Sequence, residues 1–137
     1  MIVRQGRQVE QQDTGVMRGE QPSGIKVKWL IHRELGDESY GHRFAVREFV
    51  IESGKAIKPH NHKYVEAFYV VSGRALVEGE GEKVEVGPGD LVYTYSDEVH
   101  AITPIGNEEF KIVCSIDCID GGDNCSPAGW VASIKRS

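Results

Sequence analysis

The chain has few cysteines and no long apolar run, and each shortage excludes a class of protein. No stretch of its 137 residues approaches the ~20 apolar residues of a membrane helix. No membrane association is therefore predicted. The first residues lack the apolar core of a secretory signal, so a cytoplasmic location is expected. The formal charge of −5 comes without a basic stripe, which argues against a nucleic-acid partner and favours a small molecule.

The three cysteines all lie near the C-terminus, at Cys114, Cys118 and Cys125. An odd number without a Cys-x-x-Cys pair is poor support for a zinc or thioredoxin-like site. Cys114 fits a small core residue in a strand. Cys118 and Cys125 flank a turn-rich segment that can bring them together, but disulfides are unusual in a mesophilic cytosol, so this pairing stays open. Structural or inert roles are predicted for all three.

Helix signals are also scarce. No amphipathic helix of ten or more residues is expected, because the nearest candidate, residues 9–18, contains Gly15 and too few apolar positions. The chain has instead short runs rich in Val, Ile, Phe and Tyr, separated by Gly, Pro, Asn and Asp. This pattern predicts an all-β sandwich or small barrel. The runs are residues 29–31, 44–51, 67–71, 74–78, 83–86, 91–95 and 110–116.

The length is that of one domain with a single core. Residues 1–28 are polar and are predicted to form an N-terminal arm or edge strand. The barrel is predicted to occupy residues 29–118. Residues 119–137 are expected to be an irregular C-terminal tail of the same domain, in which Trp130 docks against the rest of the protein.

The most informative segment is residues 54–73. His60 and His62 are two positions apart, so on an extended backbone their side chains point to the same side. Glu66 shares their parity, and His100 follows in a later β-rich run. Three neutral imidazoles and one carboxylate suit a divalent first-row transition metal. One such ion is predicted, and Mn, Fe, Co, Ni, Cu and Zn all remain open.

The same segment resembles a known family motif. Gly54-x5-His60-x-His62-x3-Glu66-x6-Gly73 matches the first motif of the cupin superfamily at every position. The resemblance covers residues 40–116 and is that of a small single-domain cupin. It implies a cupin-type double-stranded antiparallel β-barrel, or jelly roll, with little helix.

The second cupin motif, G-x5-P-x-G-x2-H-x3-N, is matched less closely by the segment that begins at Gly89. Tyr95 and Asp97 replace its proline and second glycine, and Pro104 stands at its asparagine, while His100 keeps the histidine. The resemblance thus implies that His60, His62, Glu66 and His100 are the metal ligands. Four protein ligands leave two positions of a six-coordinate ion open, as a reactive site requires.

Catalytic residues stay open, with Tyr64, Tyr93, Glu48 and Arg47 as candidates. A tyrosine near a metal donates a hydrogen bond, acts as an acid or base, or, more commonly, packs its ring against a pocket wall. Arg47 and Glu48 point to opposite faces of one strand, and whichever faces inward is expected to contact substrate. His32 and His42 lack partners at ligand spacing, so surface or core roles are expected for them.

Two functions of different classes follow. The resemblance implies a metal-dependent enzyme acting on a small oxygen-rich molecule, of dioxygenase, decarboxylase, isomerase or lyase type. The alternative is a non-catalytic metal-bearing binding or sensor module. The enzyme is favoured because the ligand set leaves the metal open, and the chain has no room for a helix-turn-helix. The resemblance also implies a homodimer, with the N-terminal arm available to cover a sheet edge.

Overall fold

The computed structural model describes residues 1–35, 43–119 and 124–136, with side chains as far as residue 132. His42 lies outside the described residues. In this part of the chain no helix is long and apolar enough to cross a membrane. A 3-10 turn at Gly6–Gln8 precedes ten strands and two α-helices. These are β1 (Gln12–Asp13), α1 (Thr14–Met17), β2 (Ile25–Ile31), β3 (Phe44–Ile51), β4 (Ile57–His60), β5 (Glu66–Ser72), β6 (Ala75–Gly79), β7 (Glu82–Val86), β8 (Leu91–Thr94), β9 (His100–Pro104), β10 (Phe110–Asp117) and α2 (Pro127–Arg136).

The strands form two antiparallel sheets that pack face to face. One sheet has six strands in the order β1-β2-β3-β10-β5-β8, and the other has four in the order β4-β9-β6-β7. Neighbours in each sheet are mostly distant in sequence, as in a jelly roll. The predicted all-β double-stranded barrel with little helix is confirmed.

The core lies between the sheets because the strands alternate apolar and polar residues. In β10, Phe110, Ile112, Cys114 and Ile116 are buried, and the residues between them are more exposed. Cys114 lies opposite Arg47 of β3 on one side and a residue of β5 on the other. The prediction that Cys114 is a small core residue agrees with its complete burial.

The N-terminal arm lies along the outer edge of β2 in its own chain. The Arg4 guanidinium donates to the carbonyls of Trp29 and Leu30 at 3.0 and 2.8 Å, and the Lys28 ammonium donates to the Gly6 carbonyl at 2.9 Å. β1 adds a short edge strand to β2. Since β2 begins at residue 25, the sheet extends into the range 1–28 that was predicted as arm or edge strand.

The C-terminal tail contains the ten-residue helix α2, so the expectations of an irregular tail and of no helix of this length are wrong. Ser126 caps the helix by accepting a hydrogen bond from the Gly129 amide at 3.1 Å, and Pro127 occupies the first helical position. Trp130 packs on Trp29 with ring centroids 6.1 Å apart, as the predicted docking requires. Tertiary packing and capping therefore outweigh the weak helix propensity of the segment.

A disulfide joins Cys118, directly after β10, to Cys125, two residues before the start of α2. Their Cα atoms are 5.4 Å apart, which lies in the usual range for this bond. The pairing that the sequence left open is thus formed. It fixes the start of α2 beside the end of the central strand.

Candidate metal centre

Three histidines converge at one end of the barrel. His60, the last residue of β4, pairs directly with His100, the first residue of β9. His62 lies in the loop after β4, and one ring nitrogen from each histidine falls within 4.8 Å of the others. The same-strand parity argument therefore does not extend to His62, because the chain leaves the sheet after His60. Glu66 begins β5 of the opposite sheet, so convergence of the two layers brings it close.

Backbone carbonyls set the tautomer of all three rings. The Nδ1 atoms of His60, His62 and His100 lie 2.8, 2.7 and 2.8 Å from the carbonyl oxygens of Lys58, Tyr64 and Glu98, respectively. A carbonyl only accepts, so each Nδ1 must carry the hydrogen and donate it. Each neutral ring then has its lone pair at Nε2, the arrangement in which histidine binds metals.

The Glu66 carboxylate completes a cluster of acceptors. Its Oε1 lies 4.0 Å from Nε2 of His62 and 4.0 Å from Nε2 of His100. In the neutral tautomer that the carbonyls select, the facing Nε2 atoms carry lone pairs, as does a carboxylate oxygen. Their juxtaposition is stabilised when a cation lies between them. The donor set of three imidazoles and one carboxylate therefore fits the predicted divalent ion.

The three histidines differ in exposure. His100 is buried, His62 is half-buried and His60 is exposed at the mouth of the barrel. Partial removal from water lowers the pKa of His60 and of His62 below the usual 6.5, and the neighbouring His100 acts in the same direction. Glu66 opposes both shifts without reversing them. Both rings are consequently neutral, as metal ligands must be, near neutral pH.

Arg47 is the inward-facing member of the Arg47–Glu48 pair. Its guanidinium is only 2% exposed, and its Nη2 donates to Oε2 of Glu66 at 2.7 Å. The guanidinium carbon also lies 4.8 Å from the ring centroid of Phe49 and 5.2 Å from that of Trp29. Arg47 thus approaches the cluster through Glu66, whereas Glu48 points to the outer face of β3.

Of the two candidate tyrosines, Tyr64 joins the cluster and Tyr93 does not. Tyr64 is 8% exposed and stacks on His62, with ring centroids 3.9 Å apart. Burial raises the pKa of Tyr64, which keeps the phenol neutral. Tyr93 of β8 is 49% exposed, contacts Tyr95 and lines a cavity that opens beside His100. The structure therefore favours ring packing as the role of Tyr64.

Cys114 is a neighbour of the site that sequence reasoning treated only as core. Burial raises the pKa of its thiol to about 12; Arg47 opposes the rise, while the charge of Glu66 and a hydrogen bond with that carboxylate add to it. The thiol therefore stays protonated beside the Glu66 carboxylate. Only the register of β3, β10 and β5 reveals this contact, and no sequence motif signals it.

A cavity of about 270 Å³ opens beside His100, between β8 and the four-stranded sheet. Valines, together with Leu91 and Tyr93 of β8, form the apolar part of its wall, and glutamates and a threonine form the polar part. A small polar molecule fits a space of this kind. Lining residues include Val77, Glu78, Val86, Thr94, Glu98 and His100.

Comparisons with known proteins agree with this architecture. The family model described as "Cupin domain" matches residues 47–116. An uncharacterised protein, MJ1618 of Methanocaldococcus jannaschii, is 33% identical over 92 residues, which cover 66% of this chain and 71% of the relative.

Two solved structures share the fold. A predicted oxalate decarboxylase from Thermotoga maritima has a TM-score of 0.69 at 22% identity, covering 85% of this chain and 98% of that one. The polyketide cyclase RemF from Streptomyces resistomycificus has a TM-score of 0.68 at 21% identity, covering 86% and 80%. With the family match extending from within β3 to the penultimate residue of β10, and so across the whole histidine cluster, this chain belongs to the cupin family.

Proposed function

We propose that this cupin is a metal-dependent enzyme that acts on a small oxygen-rich molecule. In this proposal His60, His62, His100 and Glu66 hold one divalent transition-metal ion. The observation that carries the proposal is the set of three Nδ1–carbonyl hydrogen bonds, which present three Nε2 lone pairs to one another and to Oε1 of Glu66. Such orientation by backbone acceptors is typical of metal-binding histidines.

The chemistry is divided between the ion and the cavity. A divalent ion at this point supplies Lewis acidity toward carbonyl or carboxylate oxygens of a substrate. The valines of the cavity wall offer apolar contacts, while Thr94, Glu78 and Glu98 offer hydrogen bonds to hydroxyl groups of the substrate. Of the three glutamates in the wall, we assign Glu78 and Glu98 as candidate proton acceptors.

The relatives support the substrate class. Oxalate and polyketides, named for two proteins of the same fold, are both rich in carbonyl or carboxylate oxygen. At 21–22% identity these proteins share the fold, and their activities enter here only as part of the proposal. The proposal includes dioxygenase, decarboxylase, isomerase and lyase reactions.

Anaerobic purification with metal analysis, followed by a substrate screen, tests the proposal. Keto acids, uronates and phenols are incubated with the metal-loaded protein, with and without oxygen. We expect turnover of a member of these classes and none by the His60→Ala/His62→Ala variant. Oxygen dependence then separates dioxygenases from the other reaction types. Stoichiometric metal with tight binding of one of these compounds and no turnover would favour the non-catalytic binding or sensor module.

We also propose that the chain is a homodimer in the cytoplasm, where the Cys118–Cys125 disulfide would be an exception to the usual reduced state of cysteines. The six-stranded sheet exposes Tyr69 of β5 and Leu91 and Tyr93 of β8, its terminal strand, and Leu91 is 67% exposed. Leu91 and Tyr93 also line the cavity beside His100, so the proposed interface adjoins the cavity. The arm already covers the β2 edge of its own chain, so strand exchange is not required. Sedimentation of wild type and Leu91→Glu tests this surface, and the proposal predicts a shift from dimer to monomer. A chain truncated before Gly24 should remain dimeric.

A further inference from the structure

The two oxygens of Glu66 have different partners. Oε2 accepts a hydrogen bond from the Arg47 guanidinium at 2.7 Å, on the core side of the carboxylate. Oε1 lies 4.0 Å from Nε2 of His62 and of His100, on the side of the histidine cluster. Glu66 therefore presents one oxygen, and not both, to the imidazoles.

Arg47 is held firmly enough to impose this orientation. Three aromatic rings surround its guanidinium, at centroid distances of 5.2 Å for Trp29, 4.8 Å for Phe49 and 5.9 Å for Trp130. Its neighbour on the adjacent strand β10 is Cys114, which is completely buried, so the guanidinium has little room to move on that side. A buried guanidinium that lost Glu66 would keep its charge without an acidic partner, which is costly in the core. The ion pair is thus expected to persist when the site is loaded.

We propose that Arg47 is a positioning residue that restricts Glu66 to binding the metal through a single oxygen. A carboxylate binds an ion through one oxygen or through both. By retaining Oε2, Arg47 prevents the second oxygen from occupying another coordination position. That position stays available for an oxygen ligand from the cavity. The inference rests on the metal site of the proposed function. It assigns to Arg47 the role of keeping one coordination position of the metal open.

The Arg47→Met variant tests this role with cobalt as the metal and azide as the probe ligand. Methionine fills the aromatic cage without a hydrogen-bond donor, so both Glu66 oxygens become free. We expect cobalt to remain at about one per chain, the visible cobalt spectrum to change, and azide affinity to fall roughly tenfold, the scale seen when partners of metal ligands are lost. Arg47→Lys, which restores a donor, should recover part of the azide affinity.

Arg74→Met is the matched control. Arg74 also donates to a glutamate, Glu85, at 2.8 Å, but this pair is about half exposed and lies on the four-stranded sheet. Its loss should leave both the cobalt spectrum and the azide affinity unchanged. A role of Arg47 in general stability alone would instead lower cobalt content and leave azide affinity unchanged in the fraction that retains cobalt.

Infrared spectroscopy of the wild type keeps the inference testable if Arg47→Met does not fold. The spectrum of the metal-free protein is subtracted from that of the cobalt-loaded protein, and the same difference for Glu66→Gln identifies the bands that belong to Glu66. The separation of the two stretching bands of the Glu66 carboxylate is then measured. A wide separation is expected for single-oxygen binding, and a narrow one would overturn the inference. Unchanged azide affinity and spectrum in Arg47→Met would overturn it as well. Failure of the wild type to bind cobalt would instead refute the metal site itself.

Discussion

The phenol ring of Tyr64 lies parallel to the imidazole of His62, with centroids 3.9 Å apart and planes inclined by 5°. The backbone carbonyl of Tyr64 also accepts the Nδ1 hydrogen of His62 at 2.7 Å. One residue thus sets both the position and the tautomer of the histidine, which lies in a loop without strand partners. This relationship explains how a loop residue can form part of a precise site.

The stacked ring leads to the first prediction. Tyr64→Ala should weaken metal binding by roughly tenfold, because the imidazole of His62 loses the surface that orients it. Tyr64→Phe keeps the ring and the backbone carbonyl, so its affinity should match the wild type. Competition with a chromophoric chelator measures both. Equal affinities in all three proteins would show that the stacking does not orient the ligand.

The second prediction concerns the histidine pair. Replacing His60 and His62 by alanine should abolish bound metal in elemental analysis, because it removes two of the three convergent Nε2 atoms. His32→Asn is the matched control: His32 Nδ1 accepts a hydrogen bond from the Glu34 amide at 3.2 Å, and an asparagine oxygen can do the same. Stoichiometric metal in the double variant would show that the ion binds elsewhere.

The third prediction is a loss of stability in acid. In the folded chain, desolvation lowers the pKa values of His60 and His62 from the usual 6.5. The unfolded chain therefore binds more protons than the folded chain as the pH falls. The contribution of the pair is fully present above about pH 6.5 and is lost as the pH falls through the lowered pKa values. Urea unfolding of the metal-free protein at several pH values measures it.

In the His60→Asn/His62→Asn variant this part of the pH dependence should disappear, since asparagine does not titrate. The same slope in the variant and the wild type would assign the acid sensitivity to other groups.

The fourth prediction concerns the Cys118–Cys125 disulfide. The bond closes a short loop, so its reduction should lower the free energy of unfolding by about 2–3 kcal/mol. It also fixes the start of α2, so reduction should increase solvent exposure of Trp130. Denaturant titrations followed by tryptophan fluorescence, with and without reductant, measure both effects. In the Cys118→Ser/Cys125→Ser variant, reductant should change neither the free energy of unfolding nor the tryptophan fluorescence. A wild type in which reductant changes neither quantity would contradict the prediction.

Most strands were predictable because they are rich in the apolar residues that a strand buries in the core. β3 has the predicted bounds, and β10 extends the predicted run by one residue. β4 was missed since Lys58 and Pro59 give it no β-rich signal. It lies at the edge of its sheet, where proline is tolerated.

The site was predictable only in part. The spacing of His60, His62 and Glu66 predicted residues that do lie close together, although the reasoning from a shared strand face applied to His60 alone. The Arg47–Glu66 ion pair joins β3 to β5 with β10 between them, so it depends on a strand order that the sequence does not state. Helix α2 depends likewise on distant contacts, because Trp130 gains its packing surface from Trp29.

The division of the histidine and glutamate cluster between two sheets affects the stability of the protein as well as its reactivity. His60 and His100 belong to the four-stranded sheet, and Glu66 belongs to the six-stranded one. In the proposed metal site, an ion held by all three would tie the layers together and would bind only the folded chain. At a free metal concentration of about 100 times the dissociation constant, such coupling adds about 2.7 kcal/mol to the free energy of unfolding. The lifetime of this protein in a cell would then follow the supply of its metal.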